Sequence, residues 1–252
     1  MCGILGSINL SFDNELLDSI KHRGPDDKGI ESFSVNGHEV YLGQRRLSII
    51  DLSSAGHQPM TSNCGMFTII FNGEIYNHEE LKVKLQSSIH FKGHSDTESI
   101  LYYFREFGFQ AIKDLNGIFS IAFLDQVNKK LFLARDPFGV KPLYYNISEQ
   151  SNQLLFSSEI RPIQKELKIK NINLNALASL LKLRYNAAPE TIFENIFKLK
   201  PGHYLEVDLK NSEIKIKNIP FLNPVPETKN FNSFKEAKDQ YRILFEIGRA
   251  HV

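Results

Sequence analysis

A two-residue turn, Asn36-Gly37, is the feature that most constrains the fold of this 252-residue chain. Both residues readily adopt the positive φ angles of a type I′ turn, and segments typical of strands, residues 30–35 and 39–43, lie on either side. Such a turn joins neighbouring antiparallel strands. The sequence therefore predicts antiparallel sheet early in the chain.

Similar signals continue along the chain. Apolar runs predict strands at residues 3–10, 66–71, 118–124, 131–134, 143–147, 154–156, 203–209 and 214–217. Helical spacing predicts helices at residues 12–20, 79–85 and 174–183, and a capping box, Ser95-Asp96-Thr97-Glu98, predicts a longer one that reaches Phe107. Asn72-Gly73 is expected to end its strand in a tight turn. These patterns predict an α+β protein with several hairpins.

The amino-acid composition bears on which partners this protein can bind. The 30 basic and 29 acidic side chains nearly cancel, so no strong field attracts nucleic acid or an anionic membrane. No apolar stretch reaches membrane-spanning length, and no histidine or cysteine has a metal-ligand spacing. The two cysteines, Cys2 and Cys64, favour a reducing, cytoplasmic location. No nucleic-acid, membrane or metal partner is therefore expected.

Cys2 follows the initiator methionine. If Met1 is removed, Cys2 carries a thiol nucleophile and a free α-amine, whose pKa near 8 lets it act as the general base for its own thiol. A simpler interpretation is that a small second residue only permits removal of methionine. On these residues alone, both interpretations stand.

Six motifs in unbroken order distinguish between them. They are Met1-Cys2-Gly3-Ile4, His22-Arg23-Gly24-Pro25-Asp26-Asp27, Arg46-Leu47-Ser48-Ile49, Asn72-Gly73-Glu74-Ile75-Tyr76-Asn77, Ser95-Asp96-Thr97-Glu98 and the run from Arg135 to Tyr145. Together they resemble the glutaminase domain of glutamine-hydrolysing asparagine synthetases, which are class II glutamine amidotransferases. The resemblance implies an N-terminal-nucleophile hydrolase fold, a four-layer α-β-β-α sandwich of two antiparallel sheets. It also implies hydrolysis of L-glutamine through a Cys2 thioester.

The resemblance assigns the remaining site residues. Asn72 and Gly73 would supply a side-chain and a backbone donor for the oxyanion. Arg46 would bind the α-carboxylate of glutamine and Asp96 its α-ammonium. The other substrate-binding positions are Leu47, Ile49, Ile50 and Glu74.

Each of these residues also has a structural interpretation. Asn72-Gly73 could form an ordinary turn, and Arg45-Arg46 could be a solvated basic pair. Asp96 could complement the helix dipole, and the apolar positions could pack in the core. The Arg23-Gly24-Pro25 and Arg135 to Tyr145 segments are expected to serve turns and packing, with no catalytic role, and Cys64 is expected to be incidental.

The domain prediction follows from the same resemblance. Residues 1–219 are assigned to the glutaminase domain, and residues 220–252, rich in proline and polar residues, to a linker and the truncated start of a synthetase domain. The last residues resemble a translated sequencing adapter. No Ser-Gly-Gly-x-Asp-Ser pyrophosphate loop occurs, so ATP and Mg²⁺ are expected only for that missing domain, which would use the ammonia to make asparagine from aspartate.

Several alternatives remain open at this point. The leading Cys-Gly is shared with amidophosphoribosyl- and glucosamine-phosphate-type amidotransferases, although the residues around Arg46 fit the asparagine synthetase type better. A related synthetase domain could amidate another acceptor, and a non-catalytic glutamine-binding module would retain the same pocket. A homodimer is also left open.

Overall fold

The structure is a computed structural model that describes residues 2–48, 53–85, 89–222 and 231–249. It divides into two units, Met1–Leu222 and Asn223–Val252. The second unit contains one helix, Phe234–Arg249, in a region that the sequence predicts as linker and truncated domain. That domain assignment remains a prediction.

The described residues of the first unit form twelve strands. In chain order they are β1 (Gly3–Ile8), β2 (Asp27–Val35), β3 (His38–Arg46), β4 (Met60–Thr61), β5 (Phe67–Ile75), β6 (Gly117–Asp125), β7 (Lys130–Arg135), β8 (Tyr144–Ser148), β9 (Gln153–Ser157), β10 (Phe197–Lys198), β11 (His203–Asp208) and β12 (Lys215–Pro220). They form two six-stranded sheets, in the orders β10-β8-β9-β1-β3-β2 and β12-β11-β7-β6-β5-β4. Every strand pair in both sheets is antiparallel.

The Asn36-Gly37 hairpin is confirmed. Val35 pairs with His38, and the two turn residues have φ angles of 53° and 84°. These are the positive values that a type I′ turn requires, and they match the twist of the flanking strands.

The helices lie outside the two sheets. They are α1 (Asn14–Asp18), α2 (His78–Lys84), α3 (Asp96–Phe107), α4 (Ile160–Leu167) and α5 (Leu174–Leu183). The capping box is half formed: Ser95 Oγ accepts a hydrogen bond from the N–H of Glu98, but the Glu98 carboxylate accepts from Lys92 and Gly93 instead of Ser95. The sequence analysis missed α4, whose apolar positions are few.

Three apolar clusters hold the layers together. Ile4 and Ile8 of β1 pack with Ile70 of β5 in the core between the sheets. Leu5, on the other face of β1, packs with residues of α1 and α4, and Phe71, on the other face of β5, packs with residues of α2 and α3. Strands buried on both faces explain why their sequences read as continuous apolar runs. The predicted four-layer sandwich is confirmed.

The predicted turn at Asn72-Gly73 is wrong. Strand β5 continues through both residues to Ile75, with Asn72 opposite Ser120 and Gly73 opposite Phe119 on β6. Pairing along the full length of β6 outweighs the local preference of Asn-Gly for a turn, because tertiary context routinely overrides such preferences. Pro220 is the last residue of the edge strand β12, where an edge position tolerates the missing N–H of proline.

Candidate active site

The candidate site lies at one end of the gap between the two sheets. Side chains alternate along a strand, so Cys2 continues the inward-facing row of Ile4 and Ile8. On β5, the same alternation places Asn72 on the inward face with Ile70. The aliphatic core therefore gives way to polar groups from both sheets at this end.

Strand β3 contributes a third inward row. Leu42 belongs to the core between the sheets, and Gln44 and Arg46 follow it at intervals of two residues. Gln44 Nε2 donates to the carbonyl oxygen of Phe71 at 2.9 Å, a hydrogen bond that joins the two sheets. Arg46 stands one step closer to solvent.

These rows converge on a cavity of about 130 Å³. The residues that line it are Cys2, Arg46, Leu47, Gly56, Gln58, Phe71, Asn72, Gly73, Glu74, Ser95, Asp96, Thr97 and Lys141. Seven of the nine predicted site residues are therefore gathered around one cavity. The other two, Ile49 and Ile50, lie outside the described residues.

The Cys2 thiol is held by the backbone of Leu47. Leu47 N–H donates to Cys2 Sγ at 3.4 Å, and Sγ lies 3.6 Å from the Leu47 carbonyl oxygen. Arg23 Nε donates to the Cys2 carbonyl oxygen at 3.0 Å. Cys2 is half-buried and lines the cavity.

One edge of β5 faces this cavity. On either side of Gly73, side-chain oxygens accept hydrogen bonds from the backbone N–H groups of this edge. Phe71 N–H donates to Gln58 Oε1 at 2.7 Å, and Ile75 N–H donates to Asp96 Oδ2 at 3.0 Å. Because N–H direction alternates along a strand, the N–H of Gly73 points to this same edge, between the two side chains. Strand β5, which continues through the predicted turn, thus directs the N–H of Gly73 toward the cavity.

Asn72 is almost fully buried, and its Nδ2 lies 3.5 Å from Ser120 Oγ, the limit of a hydrogen bond. A Cβ on Gly73 would stand 2.1 Å from the carbonyl oxygen of Ile118. The need for glycine therefore arises from the close approach of β6. That Gly73 also makes room for a substrate remains a prediction.

Arg46 is buried, with 8% of its surface exposed, and is not a solvated basic residue. Its Nη1 donates to the carbonyl oxygen of Ser53 at 3.1 Å, and a Cβ on Gly56 would stand 2.0 Å from its Nη2. The turn at Ser54–Gly56 thus wraps closely around the guanidinium group. Arg45 is also buried, but its Nη1 points to Asp18, 3.4 Å away.

Asp96 is the first residue of α3 and is 5% exposed. Its carboxylate accepts hydrogen bonds from Ile75 N–H and from Thr97 N–H, the latter at 2.9 Å. Burial raises the pKa of the Asp96 carboxyl, although these N–H groups and the nearby His78 act in the opposite direction. Asp96 thus complements the helix dipole, as its structural interpretation requires, and also lines the cavity.

Sequence analysis missed Gln58, Thr97 and Lys141 as cavity residues. Gln58 Nε2 donates to Thr97 Oγ1 at 3.1 Å, so these two residues form one polar wall. Lys141 is 9% exposed and belongs to the segment assigned only to turns and packing. Nothing in the sequence around Gln58, which precedes Pro59, predicts a site residue. Its place at the cavity depends on the hydrogen bond to the edge of β5, a contact that forms only in the folded protein.

Most of the Arg135 to Tyr145 segment does serve packing. Arg135 donates to the carbonyl oxygens of Lys141 and Leu199 at 2.7 and 2.8 Å. Asp136 accepts from the N–H groups of Phe119 and Lys141, which fixes Lys141 beside the strand that faces Gly73. Only Lys141 of this segment reaches the cavity.

Within the described part of the chain, no three His, Cys, Asp or Glu side chains cluster closely enough to hold a metal ion. None of the helices described is both long enough and apolar enough to cross a membrane. The residues that line the cavity supply a thiol, two hydroxyls, amide and backbone donors, two cationic side chains and two carboxylates.

Two stacked antiparallel sheets covered by helices are the fold of N-terminal-nucleophile hydrolases. Comparison of sequences gives the family: the model of the glutamine amidotransferase domain matches residues 1–218, and the chain belongs to this family. The predictions of a glutamine amidotransferase and of an enzyme are confirmed.

Two curated relatives show how the domain is used elsewhere. A putative glutamine-hydrolysing asparagine synthetase of Methanocaldococcus jannaschii is 37% identical over 85% of this chain and 45% of its own length. Amidase chry2 of Gibberella zeae is 37% identical over 75% of this chain and 27% of its own. The chain thus spans less than half the length of these relatives.

A solved structure supports the fold. The glutamine phosphoribosylpyrophosphate amidotransferase of Bacillus subtilis matches 88% of this chain and 49% of its own, with a TM-score of 0.60 and 15% identity. At this identity the likeness shows the fold alone.

Proposed function

We propose that this domain hydrolyses L-glutamine to glutamate and ammonia through a thioester on Cys2. The observation that carries the proposal is that Cys2, Asn72 and Gly73 line the same cavity. Sulfur attacks the amide carbon, the C–N bond breaks and ammonia leaves with the thiol proton. Water then cleaves the C–S bond and releases glutamate.

The developing negative charge on the amide oxygen requires fixed donors. Gly73 N–H is aimed at the cavity by the alternation of β5, and Asn72 Nδ2 makes only a long contact with Ser120. An amide group held this loosely can turn to the oxyanion at small cost. Asn72 and Gly73 are therefore the proposed oxyanion hole.

The two charged ends of free glutamine would be bound by Arg46 and Asp96. The guanidinium group of Arg46 can bind a carboxylate through two parallel hydrogen bonds. The buried carboxylate of Asp96 is stabilised in its charged form by a nearby ammonium group. Leu47 and Glu74 complete the substrate contacts at the cavity wall. Ile49 and Ile50 keep the assignment that the resemblance gives them.

Removal of Met1 would give Cys2 the α-amine that serves as its base. Among the cavity-lining residues there is no histidine, the usual base for a thiol. An amine on the nucleophilic residue itself meets this need, acting through a water molecule. The reaction then uses only groups of the protein and water.

In the whole protein, the ammonia would serve ATP-dependent asparagine synthesis from aspartate by a synthetase domain. The asparagine synthetase relative supports this proposal, and ATP and Mg²⁺ would act only there. The amidase relative favours a second candidate, delivery to a different acceptor. A cytoplasmic location and a homodimer remain predictions, to be checked by fractionation and by light scattering.

Ammonia release from glutamine by the purified chain tests the glutaminase proposal. Cys2→Ala should abolish it while glutamine still binds, as measured by calorimetry. Binding without any ammonia release by the unaltered protein would instead support a non-catalytic glutamine-binding module. Asparagine formed from aspartate, glutamine and ATP by the full-length gene product would identify the acceptor. The 252-residue chain alone should not bind ATP-Mg.

A further inference from the structure

The His22 to Asp27 motif ends in a carboxylate–imidazole hydrogen bond that the glutaminase mechanism does not use. Asp27 is the first residue of β2, and its Oδ2 lies 2.7 Å from Nδ1 of His57. Because a carboxylate only accepts hydrogen bonds, Nδ1 of His57 carries the proton. The pair joins the sheet of Cys2 to the turn that surrounds Arg46.

His57 directly follows that turn. Ser53 and Gly56 enclose the Arg46 guanidinium, one through its carbonyl oxygen at 3.1 Å and the other through a close contact that leaves no room for a Cβ. A shift of residues 53–56 would therefore move the guanidinium or break its hydrogen bond to Ser53. The position of Arg46 depends on what holds this turn.

Gln58 and His57 both anchor the chain that follows Gly56. Gln58 is bound to β5 through Phe71 and to α3 through Thr97. His57 lies against β2, where a Cβ on Gly29 would stand 2.8 Å from Nε2 of the ring, and Asp27 binds the other ring nitrogen. The Gln58 side chain thus attaches the turn to β5 and α3, and the His57 side chain attaches it to β2, where the backbone of Gln58 also lies close to Gly29.

We propose that Asp27 and His57 are a positioning pair that holds Arg46 in place for the α-carboxylate of glutamine. This inference depends on the proposed role of Arg46 in substrate binding. Neither residue lines the cavity, so both act through the turn at Ser54–Gly56 and not on the substrate. The pair should affect substrate binding and leave the chemistry at Cys2 unchanged.

The expected effect is moderate. The side chains are 34% and 45% exposed, and half-exposed pairs contribute modestly because solvent and salt screen them. Asp27→Ala and His57→Ala should each raise KM for glutamine about two- to fivefold, with kcat nearly unchanged. The double variant should be no worse than either single variant, because each change already breaks the pair.

The experiment compares these three variants with His57→Asn, which keeps an N–H near the position of Nδ1 and should restore KM toward the original value. Glu15→Gln is the matched control, because Glu15 forms an exposed ion pair with Lys165 at 2.6 Å and neither residue lines the cavity. Its KM should not change. An unchanged KM in both alanine variants, additive effects in the double variant, or a fall in kcat alone would overturn the proposal.

Glutamine affinity measured by calorimetry in a Cys2→Ala background gives a second readout that does not depend on turnover. The dissociation constant should rise by the same factor as KM. If the glutaminase proposal fails, the unaltered protein releases no ammonia. If only the positioning proposal fails, the unaltered protein is active and binding is insensitive to Asp27 and His57.

Discussion

Leu47 N–H donates a hydrogen bond to Cys2 Sγ at 3.4 Å, so the residue after Arg46 holds the proposed nucleophile. The strand that carries the proposed carboxylate-binding arginine thereby also sets the position of the sulfur. Substrate binding and sulfur position are linked through a single peptide bond between Arg46 and Leu47.

The position of Cys2 leads to the first prediction. A tag retained at the N-terminus should abolish ammonia release, because it converts the α-amine to an amide and adds chain where the base must act. The same tag at the C-terminus should be tolerated. Intact-mass measurement should show loss of Met1 in the active protein, and full activity with Met1 or a tag in place would contradict the proposed base.

The second prediction concerns the oxyanion. Asn72→Ala should lower kcat about a hundredfold or more with little change in KM, because it removes a donor needed mainly in the transition state. Ser120→Ala removes only the 3.5 Å contact of Asn72 and serves as the control, with a much smaller effect. Equal losses in the two variants would indicate that Asn72 acts through packing.

The third prediction distinguishes the two neighbouring arginines. Arg46→Lys should raise KM about ten- to a hundredfold, since a buried charge-assisted contact contributes roughly 1.5 to 3 kcal/mol and lysine lacks the planar pair of donors. Arg45→Lys is the matched control, because Arg45 is equally buried but points to Asp18. Thermal melts should show that both variants fold. Similar KM values for the two would assign Arg46 a structural role.

The fourth prediction follows from the raised pKa of Asp96, which burial causes. Below that pKa the carboxyl is neutral and cannot balance the α-ammonium of glutamine, so KM should rise as the pH falls through it. The effect of pH on the free energy of unfolding has the opposite sign to that of an ion-paired carboxylate, whose pKa is lowered in the native state. The native state binds this proton more tightly than the unfolded state, so Asp96 lowers the free energy of unfolding as the pH rises from the ordinary aspartate pKa to the raised one.

Asp96→Asn provides the check. The variant should bind glutamine weakly at every pH, and its KM should lack the acid-side rise of the unaltered protein. In denaturant titrations, the difference in unfolding free energy between the two proteins should change with pH only across the same interval. A pH-independent KM in the unaltered protein would show that Asp96 does not contact the ammonium group.

The amino-acid sequence by itself determined the antiparallel sheets and most of the helices. The Asn36-Gly37 turn, the apolar runs and the Ser95 cap are local signals, because φ preferences and hydrophobic periodicity act over a few residues. Motif order was enough to identify the family and to select Cys2, Arg46, Asn72 and Asp96. These residues lie far apart in sequence, and no local rule brings them together.

Only the tertiary structure decided how Asn72-Gly73 is used. The dipeptide favours a turn locally, yet pairing with Ser120 and Phe119 keeps it in a strand and aims the Gly73 N–H at the cavity. The contacts of Gln58 and of the Asp27–His57 pair were equally hidden, because they join segments that meet only when both sheets are assembled. A sequence pattern does not specify which distant segments pair. In this protein the pairing of β5 with β6 sets the direction of the Gly73 N–H.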